Sequence, residues 1–399
     1  MRVLISAGEA SGEMYGAGLI RALRRLQASQ LQPGQLQPGQ LQPPMEFFGA
    51  GGERMRAAGC EIVLDCKDLS VVGITEILGR LPKIYKLFHH LIAQADQRQP
   101  YAAIVIDSPA FNWRVARAIS KRGIPVIYYV APQFWAWRQG RVKLLRKYIK
   151  KALVIFPFEE KFYRDRGVNA EFIGHPLADL PQPQISRGDY AAQNQLDPAK
   201  QWVAIMPGSR PKEVRMNLPA IVESVAKLGN GYEYLLPVAP TLNRDFLRAI
   251  LAQYNAAASV HLVSESLPAL HHSRAGIIAS GTATVEAAIM ELPFVMVYRV
   301  SPLTYLLGKP RVKVPRFCMV NLIAGKEVVP ELVQQQFTAE NVAAELRKIV
   351  PDGPARGKML SDLKNVKTSL RGGVESQMPP ADRAAQIICE GLKSGAFRP

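Results

Sequence analysis

The residue types best suited to chemistry stand where apolar runs end. Ile277-Ile278-Ala279 runs into Ser280-Gly281-Thr282, and a helical pattern starts at once and reaches Glu286. Such a strand-to-helix turn offers free backbone N–H groups and the positive end of a helix dipole to an anion. Gly281 lets a phosphate approach the backbone, and Thr282 and Glu286 share one helix face. A carboxylate one turn along can accept both hydroxyls of a diol, and phosphate plus ribose makes a nucleotide. An ordinary capped helix would carry the same residues.

Other strand ends carry polar groups too. Tyr101 to Ile106 is apolar and stops at Asp107, with a helix beginning near Phe111. A lone aspartate at the carboxyl end of a buried strand is a candidate general base, and equally a helix N-cap. Val3 to Ser6 reads as a buried first strand that feeds a glycine-rich turn and a helix to about Gln27, with Glu9 at the strand's carboxyl end. Glycines 8, 12 and 16 fit neither a dinucleotide nor a Walker loop. They serve either close approach of a ligand or helix–strand packing. Trp202 to Met206 is a strand leading into Pro207-Gly208-Ser209-Arg210-Pro211, with Ser209 or a neighbour as helix cap. Arg210 there would meet a phosphate bidentately or be only a basic helix start. Asn321 is a candidate for a sugar or base contact or for an Asx turn. His175, before a proline, touches substrate or is structural.

The elements that must position these residues alternate. Further strands are expected over Pro125–Val130, Tyr234–Val238, Val260–Val263, Gly276–Ala279 and Phe294–Tyr298, with helical patterns between. Strand–helix alternation means an α/β fold, and 399 residues favour two domains. Leu180 to Lys200 is rich in Pro, Gln, Asp and Ala and reads as the linker; helices over about 339–350, 359–370 and 380–393 finish the chain. Residues 30–44 repeat Gln-Leu-Gln-Pro-Gly, which builds no core and reads as a mobile surface insertion. From Ser70 to Ile92, Ile74, Ile77, Leu78, Leu81, Ile84, Tyr85 and Phe88 follow helical spacing, flanked by Arg80, Lys83 and Lys86, and Pro82 should kink or restart the helix. The segment is a core helix or one that meets a membrane interface or an acyl chain. Trp135 and Trp137 flank a ligand cleft, and the basic run Arg138 to Lys151 is a solvated face or a seat for phosphates or anionic lipid.

Lys and Arg number 50 against 33 Asp and Glu, a formal charge of +17. Something anionic is the expected partner. The cysteines at 60, 66, 318 and 389 have no metal spacing and read as reduced thiols in a cytosolic protein. No apolar run is long enough for a spanning helix or a signal peptide.

Taken in order, GEASGEMYGAGLIRAL, VIDSPAFN, FWAWRQGRV, FIGHPLAD, PGSRPKEV, ASGTATVEAA and MVNLIAGKEVVPELVQ resemble the bacterial lipid-A-disaccharide synthases from residue 1 to about 335. The resemblance implies an inverting glycosyltransferase of GT-B class, α/β, with two Rossmann-like domains and an interdomain cleft. The domains would be 1–179 for acceptor and membrane, 180–358 for the UDP-sugar, and 359–399 as helices packing back on an N-terminal domain. Such enzymes join UDP-2,3-diacylglucosamine to 2,3-diacylglucosamine 1-phosphate through a β-1,6 bond at the inner face of the inner membrane, with no metal or cofactor. It further implies that Gly208, Ser209, Arg210, Gly281 and Thr282 face the pyrophosphate, with Glu286 on the ribose and Asn321 nearby. Asp107, or else Glu9, is the base. Ser11, Val71, Val72, Ile74, Ile77, Leu78, Trp135 and Trp137 serve the acceptor and the membrane. Inner-membrane lipids are expected partners, nucleic acid is not, and a homodimer is a candidate state. Glu13 and Ala110 depart from the family's usual acids, so Asp107 rather than position 110 is taken as the base. Two other readings are a related GT-B enzyme, such as a UDP-GlcNAc 2-epimerase, and a non-catalytic basic protein for membranes or nucleic acid.

Overall fold

The apolar runs become parallel strands in a computed structural model that describes residues 1–30, 44–69, 74–229, 231–254, 259–308, 312–372 and 378–397. The chain divides into two units, Met1–Pro176 with Leu370–Pro399, and Leu177–Ser369. Residues 31–43 of the Gln-Pro repeat, and Val71 and Val72, lie outside the described residues.

The first unit holds a seven-stranded sheet. Its strands are β1 (Arg2–Ala7), β2 (Glu46–Gly51), β3 (Cys60–Asp65), β4 (Ala102–Ile106), β5 (Val126–Tyr129), β6 (Lys151–Val154) and β7 (Ala170–Phe172), in the order β3-β2-β1-β4-β5-β6-β7. Every neighbouring pair is parallel, and β4 and β5 are wholly buried, as strands covered on both faces must be. Gly49 holds φ +151, and a Cβ there would strike the Ile5 carbonyl at 1.9 Å, so only glycine lets β2 lie this close to β1. Gly8 and Gly16 prove to be packing glycines: a Cβ would meet Ser108 Oγ at 2.3 Å and Met55 Sδ at 2.9 Å. The helix Pro380–Lys393 lies along the helix Ala10–Gln30, and Arg25 pairs with Asp382 at 2.6 Å.

In the second unit β8 (Gln201–Met206), β9 (Tyr232–Pro237), β10 (Val260–Val263), β11 (Ala275–Ala279), β12 (Phe294–Tyr298) and β13 (Glu331–Val333) run β10-β9-β8-β11-β12-β13. The sheets share one winding. In each, the first strand and the fourth are neighbours and the order reverses between them. Ligands of such sheets bind at that switch point, outside the carboxyl ends of the strands.

One expectation is corrected here, and one alternative of a second is removed. The stretch read as a linker folds into the second unit: Ser186 caps the helix Arg187–Asn194, and Tyr190 and Leu196 join Trp202, Leu235 and Val263 in a core cluster. The scattered aromatic and aliphatic residues outweigh the loop-like composition. The helix Ile74–Arg98 runs through Pro82 without a restart; Ile74, Ile77 and Leu78 are on it, and their side chains lie outside the described residues.

Candidate functional site

The switch point of the first sheet is built around Asp107. β1 and β4 pair in register as far as Ala7 and Ile106, so the turns that follow emerge side by side. Asp107 and Ser108 both take left-handed backbone, with φ +47 and +46. That conformation costs a non-glycine residue about 1 kcal/mol or more and gathers at functional sites. The fully buried Asn112 holds the turn. Its amide donates to the carbonyls of Ile106 at 2.7 Å, Asp107 at 3.1 Å and Ser6 at 3.1 Å, and accepts from Ser6 Oγ at 2.7 Å. One side chain thus fastens the ends of β1 and β4. The Tyr128 hydroxyl donates to the Asp107 carbonyl at 2.8 Å.

The Asp107 carboxyl is raised above the usual aspartate range, first by burial, while the Ser108 backbone and the Ser11 hydroxyl pull it down. Ser11 Oγ donates to it over 3.4 Å. A carboxylate whose affinity for protons stays raised despite these two donors is suited to accept a proton. Glu9 is exposed at the start of the neighbouring turn. Glu13 is not part of this site: its carboxylate accepts the Arg54 N–H at 2.7 Å, at the start of the helix Glu53–Ala57.

Trp135 is corrected from the acyl-chain and membrane reading. It is buried, donates its indole N–H to Glu159 at 2.7 Å, and stands edge-on to Phe156 and Phe158. Glu159, fully buried, also accepts the N–H groups of Ile155 and Phe156, each at 3.0 Å. Burial still pushes its carboxyl up to about 7. Trp137 is 45% exposed, with the Arg138 guanidinium 4.2 Å above its ring. His175 is structural as well: it is buried against Phe156, its own N–H reaches the Leu370 carbonyl at 2.7 Å, and desolvation lowers its ring to about 3.

At the second sheet's switch point the turns after β8 and β11 also emerge together, since Ile278 pairs with Met206. Gly208 has φ +123, and a Cβ would strike Glu213 at 2.7 Å. Glu213 reaches back from the helix Pro211–Leu228 to accept the N–H groups of Ser209 at 3.1 Å and Arg210 at 3.3 Å. It therefore closes this helix end, with Arg210, the neighbour of Ser209, at the N-cap position. It also holds the Arg210 guanidinium at 3.0 Å, leaving the side chain 64% exposed. The other guanidinium N–H groups have no partner among the described residues. Buried Asn217 fastens the end of β8 to the end of β12, donating to the Pro207 carbonyl at 2.9 Å and accepting from Arg299 N–H at 2.9 Å.

After β11, Gly281 precedes the helix Thr282–Ile289 with φ +150, and among the described residues beyond its chain neighbours no heavy atom lies within 4 Å of where its Cβ would be. Thr282 opens the helix and is exposed. Glu286 has no hydrogen-bond partner for its carboxylate among the described residues, and burial alone raises it to about 7. An open backbone corner and an unsatisfied carboxylate on one helix face match an anion and a diol. Asn321 does not join them. Its amide donates to Val329 O and Glu331 and accepts from Val328 and Val329 N–H, all at 2.7–3.0 Å. Fully buried and used up, it orders the loop before β13, which corrects its reading as a nucleotide ligand.

Sequence reasoning missed Asn112, Asn217 and Glu213. The signal for the first two was a polar residue on the apolar face of a helix. For Glu213 it was an acid three residues into a helix that follows a glycine turn. Among the described residues no three His, Cys, Asp or Glu side chains converge as metal ligands would, and no helix is long and apolar enough to cross a membrane.

Against known proteins, a family profile described as lipid-A-disaccharide synthetase matches residues 3–381. A lipid-A-disaccharide synthase of Koribacter versatilis is 52% identical over 388 residues, 97% of this chain and 98% of the relative. The UDP-GlcNAc 2-epimerase of Neisseria meningitidis, solved with UDP-GlcNAc, superposes with TM-score 0.63 at 13% identity, covering 99% of this chain and 100% of that one. The calicheamicin glycosyltransferase gives TM-score 0.59 at 15% identity, with 98% of each chain covered. At such low identity these structures speak to the fold alone, which is GT-B.

Proposed function

The chain belongs to the lipid-A-disaccharide synthetase family and is a glycosyltransferase of lipid A biosynthesis, and on that premise we propose that it condenses UDP-2,3-diacylglucosamine with 2,3-diacylglucosamine 1-phosphate. In this reading the first unit holds the acceptor and the second the donor. Asp107 takes the proton of the acceptor 6-hydroxyl as that oxygen attacks the donor's anomeric carbon. The new C1–O6 bond forms as the bond from C1 to the UDP oxygen breaks, which inverts the centre to β, and UDP leaves with the electron pair.

The charge that develops on the departing diphosphate meets Arg210 and the backbone N–H groups at Gly281 and Thr282. Donors already fixed in place act without reorganisation, an effect on the order of several kcal/mol of barrier. Glu286 accepts the ribose hydroxyls. Acyl chains follow the helix that begins at Ile74 and the exposed Trp137, and the enzyme works on the inner face of the bacterial inner membrane.

The observation that carries this reading is Asp107: a half-buried residue whose carboxylate has raised proton affinity, in strained backbone, at a switch point. The test is mass spectrometry of products from the two acylated glucosamines, with UDP release followed in parallel. A disaccharide 1-phosphate is expected from the unaltered protein. Asp107→Asn should lose about a hundredfold or more of turnover while keeping UDP affinity, since a general base contributes about 10²–10⁴. UDP release without disaccharide, or near-normal turnover of Asp107→Asn, would overturn it.

A further inference from the structure

Three arginines of the first unit stand together without carboxylates. Arg114 lies on the helix Pro109–Ser120, which opens at Asp107 and Ser108. Its guanidinium turns back to donate to the carbonyl of Ala110, four residues nearer that end. Arg138 precedes and Arg141 ends the short turn Gln139–Arg141 in the loop that leaves the carboxyl end of β5, the strand beside β4. Arg141 is held below the usual arginine range first by burial, then by its neighbours Arg138 and Arg114. Among the described residues none of the three pairs with an acid, so their charge is not neutralised within the chain.

Other features mark this as a built arrangement. Arg138 occupies left-handed backbone at φ +57, a strained position for a non-glycine residue. Its guanidinium lies over Trp137, and that of Arg114 lies 5.1 Å from the Trp113 ring. Stacking on an aromatic face leaves the guanidinium edge, with its fork of donors, for a planar or tetrahedral oxyanion. Three adjacent cations repel one another until an anion arrives, and a phosphomonoester brings close to two charges and three acceptor oxygens.

We propose that Arg114, Arg138 and Arg141 form the seat of the acceptor's anomeric phosphomonoester, an inference that rests on the acceptor reading above. The seat lies at the same carboxyl end of the sheet as Asp107. Binding the phosphate there fixes the sugar ring and presents its far hydroxyl to the base. It also makes the enzyme select a phosphorylated acceptor over one already stripped of phosphate.

The experiment compares 2,3-diacylglucosamine 1-phosphate with its dephosphorylated counterpart in mixed micelles, measuring both turnover and binding by tryptophan fluorescence. Unaltered protein should prefer the phosphorylated acceptor, and Arg141→Gln or Arg138→Gln should weaken its binding about 10- to 100-fold, the scale of lost charge-assisted hydrogen bonds. The variants should bind the dephosphorylated acceptor and UDP as before, so the preference collapses as in a double-mutant cycle. If Arg141→Gln does not fold, Arg141→Lys serves: it keeps the charge, loses the fork, and should lower the preference part-way. An unchanged preference in folded variants overturns the proposal. So does loss of binding to phosphatidylglycerol vesicles with the preference intact, which would assign the cluster to lipid headgroups. Absence of any disaccharide from unaltered protein would refute the reaction, while the binding arm still decides the phosphate seat.

Discussion

Glu286 carries the most specific consequence at the level of single residues. Burial raises it to about 7, with no hydrogen bond to compensate among the described residues. Its folded value lies above the unfolded one, so its contribution to stability is full below about 4.5 and is lost as pH rises toward 7. A bound diol reverses the preference, because two donated hydrogen bonds favour the ionised form. UDP affinity should therefore rise between about pH 6 and 8, and binding should release a proton. Calorimetry in buffers of different ionisation heat measures this directly. UDP titrates as well, so the informative quantity is the difference from Glu286→Gln, in which this proton release should vanish. Equal proton release from both proteins would remove Glu286 from the ribose.

Asp107 and Glu286 were legible as candidates because each follows an apolar run that had to be a buried strand. The fold then had only one place for them. Asn321 was legible as a polar residue and not as a ligand or a brace. Its four bonds go to backbone and to Glu331 across a loop whose path the sequence does not declare.

Among elements, the same limit recurs. Asn112 and Asn217 bridge strands far apart in the chain, and their partners exist only once the strand order is set. The short strands β7 and β13, each of three residues, are too brief for any period to show. The Trp135 loop is set by Glu159, a buried acid whose three donors come from two segments. Replacing it tests how much the loop depends on it. Glu159→Ala leaves Ile155 N–H, Phe156 N–H and the Trp135 indole unpaired, each costing about 1–3 kcal/mol when buried. The variant should melt well below the unaltered protein at pH 7, with Trp135 emission shifted toward that of a hydrated indole. An unshifted melting curve and spectrum would mean that water or another group replaces the carboxylate at no cost. Glu159 also adds a pH trend. With a folded value near 7 against 4.5, its stabilisation is complete below about 4.5 and fades as pH climbs to 7.

For the whole chain, the excess of 50 basic over 33 acidic residues is the property that composition alone announced. Its meaning depends on where those charges have partners. Many surface arginines are neutralised by nearby acids at 2.6–3.2 Å, and pairs so exposed contribute little to stability. What remains is a long-range attraction to anionic surfaces, joined by an exposed Trp137 and by a helix from Ile74 whose apolar spacing the sequence displays. Charge and apolar contact respond oppositely to salt. Electrostatic attraction is screened over about 10 Å at 0.1 M salt and about 3 Å at 1 M, whereas apolar insertion persists. Sedimentation with phosphatidylglycerol vesicles should fall steeply as salt rises, while a residual fraction stays bound and also binds uncharged phosphatidylcholine vesicles. Replacing Ile74, Ile77 and Leu78 together by Ser should remove that residual fraction and leave the salt-sensitive part. If the replacement unfolds the protein, those residues belong to its core and the apolar contact must come from elsewhere. If the folded variant keeps the residual fraction, the helix is not what enters the bilayer.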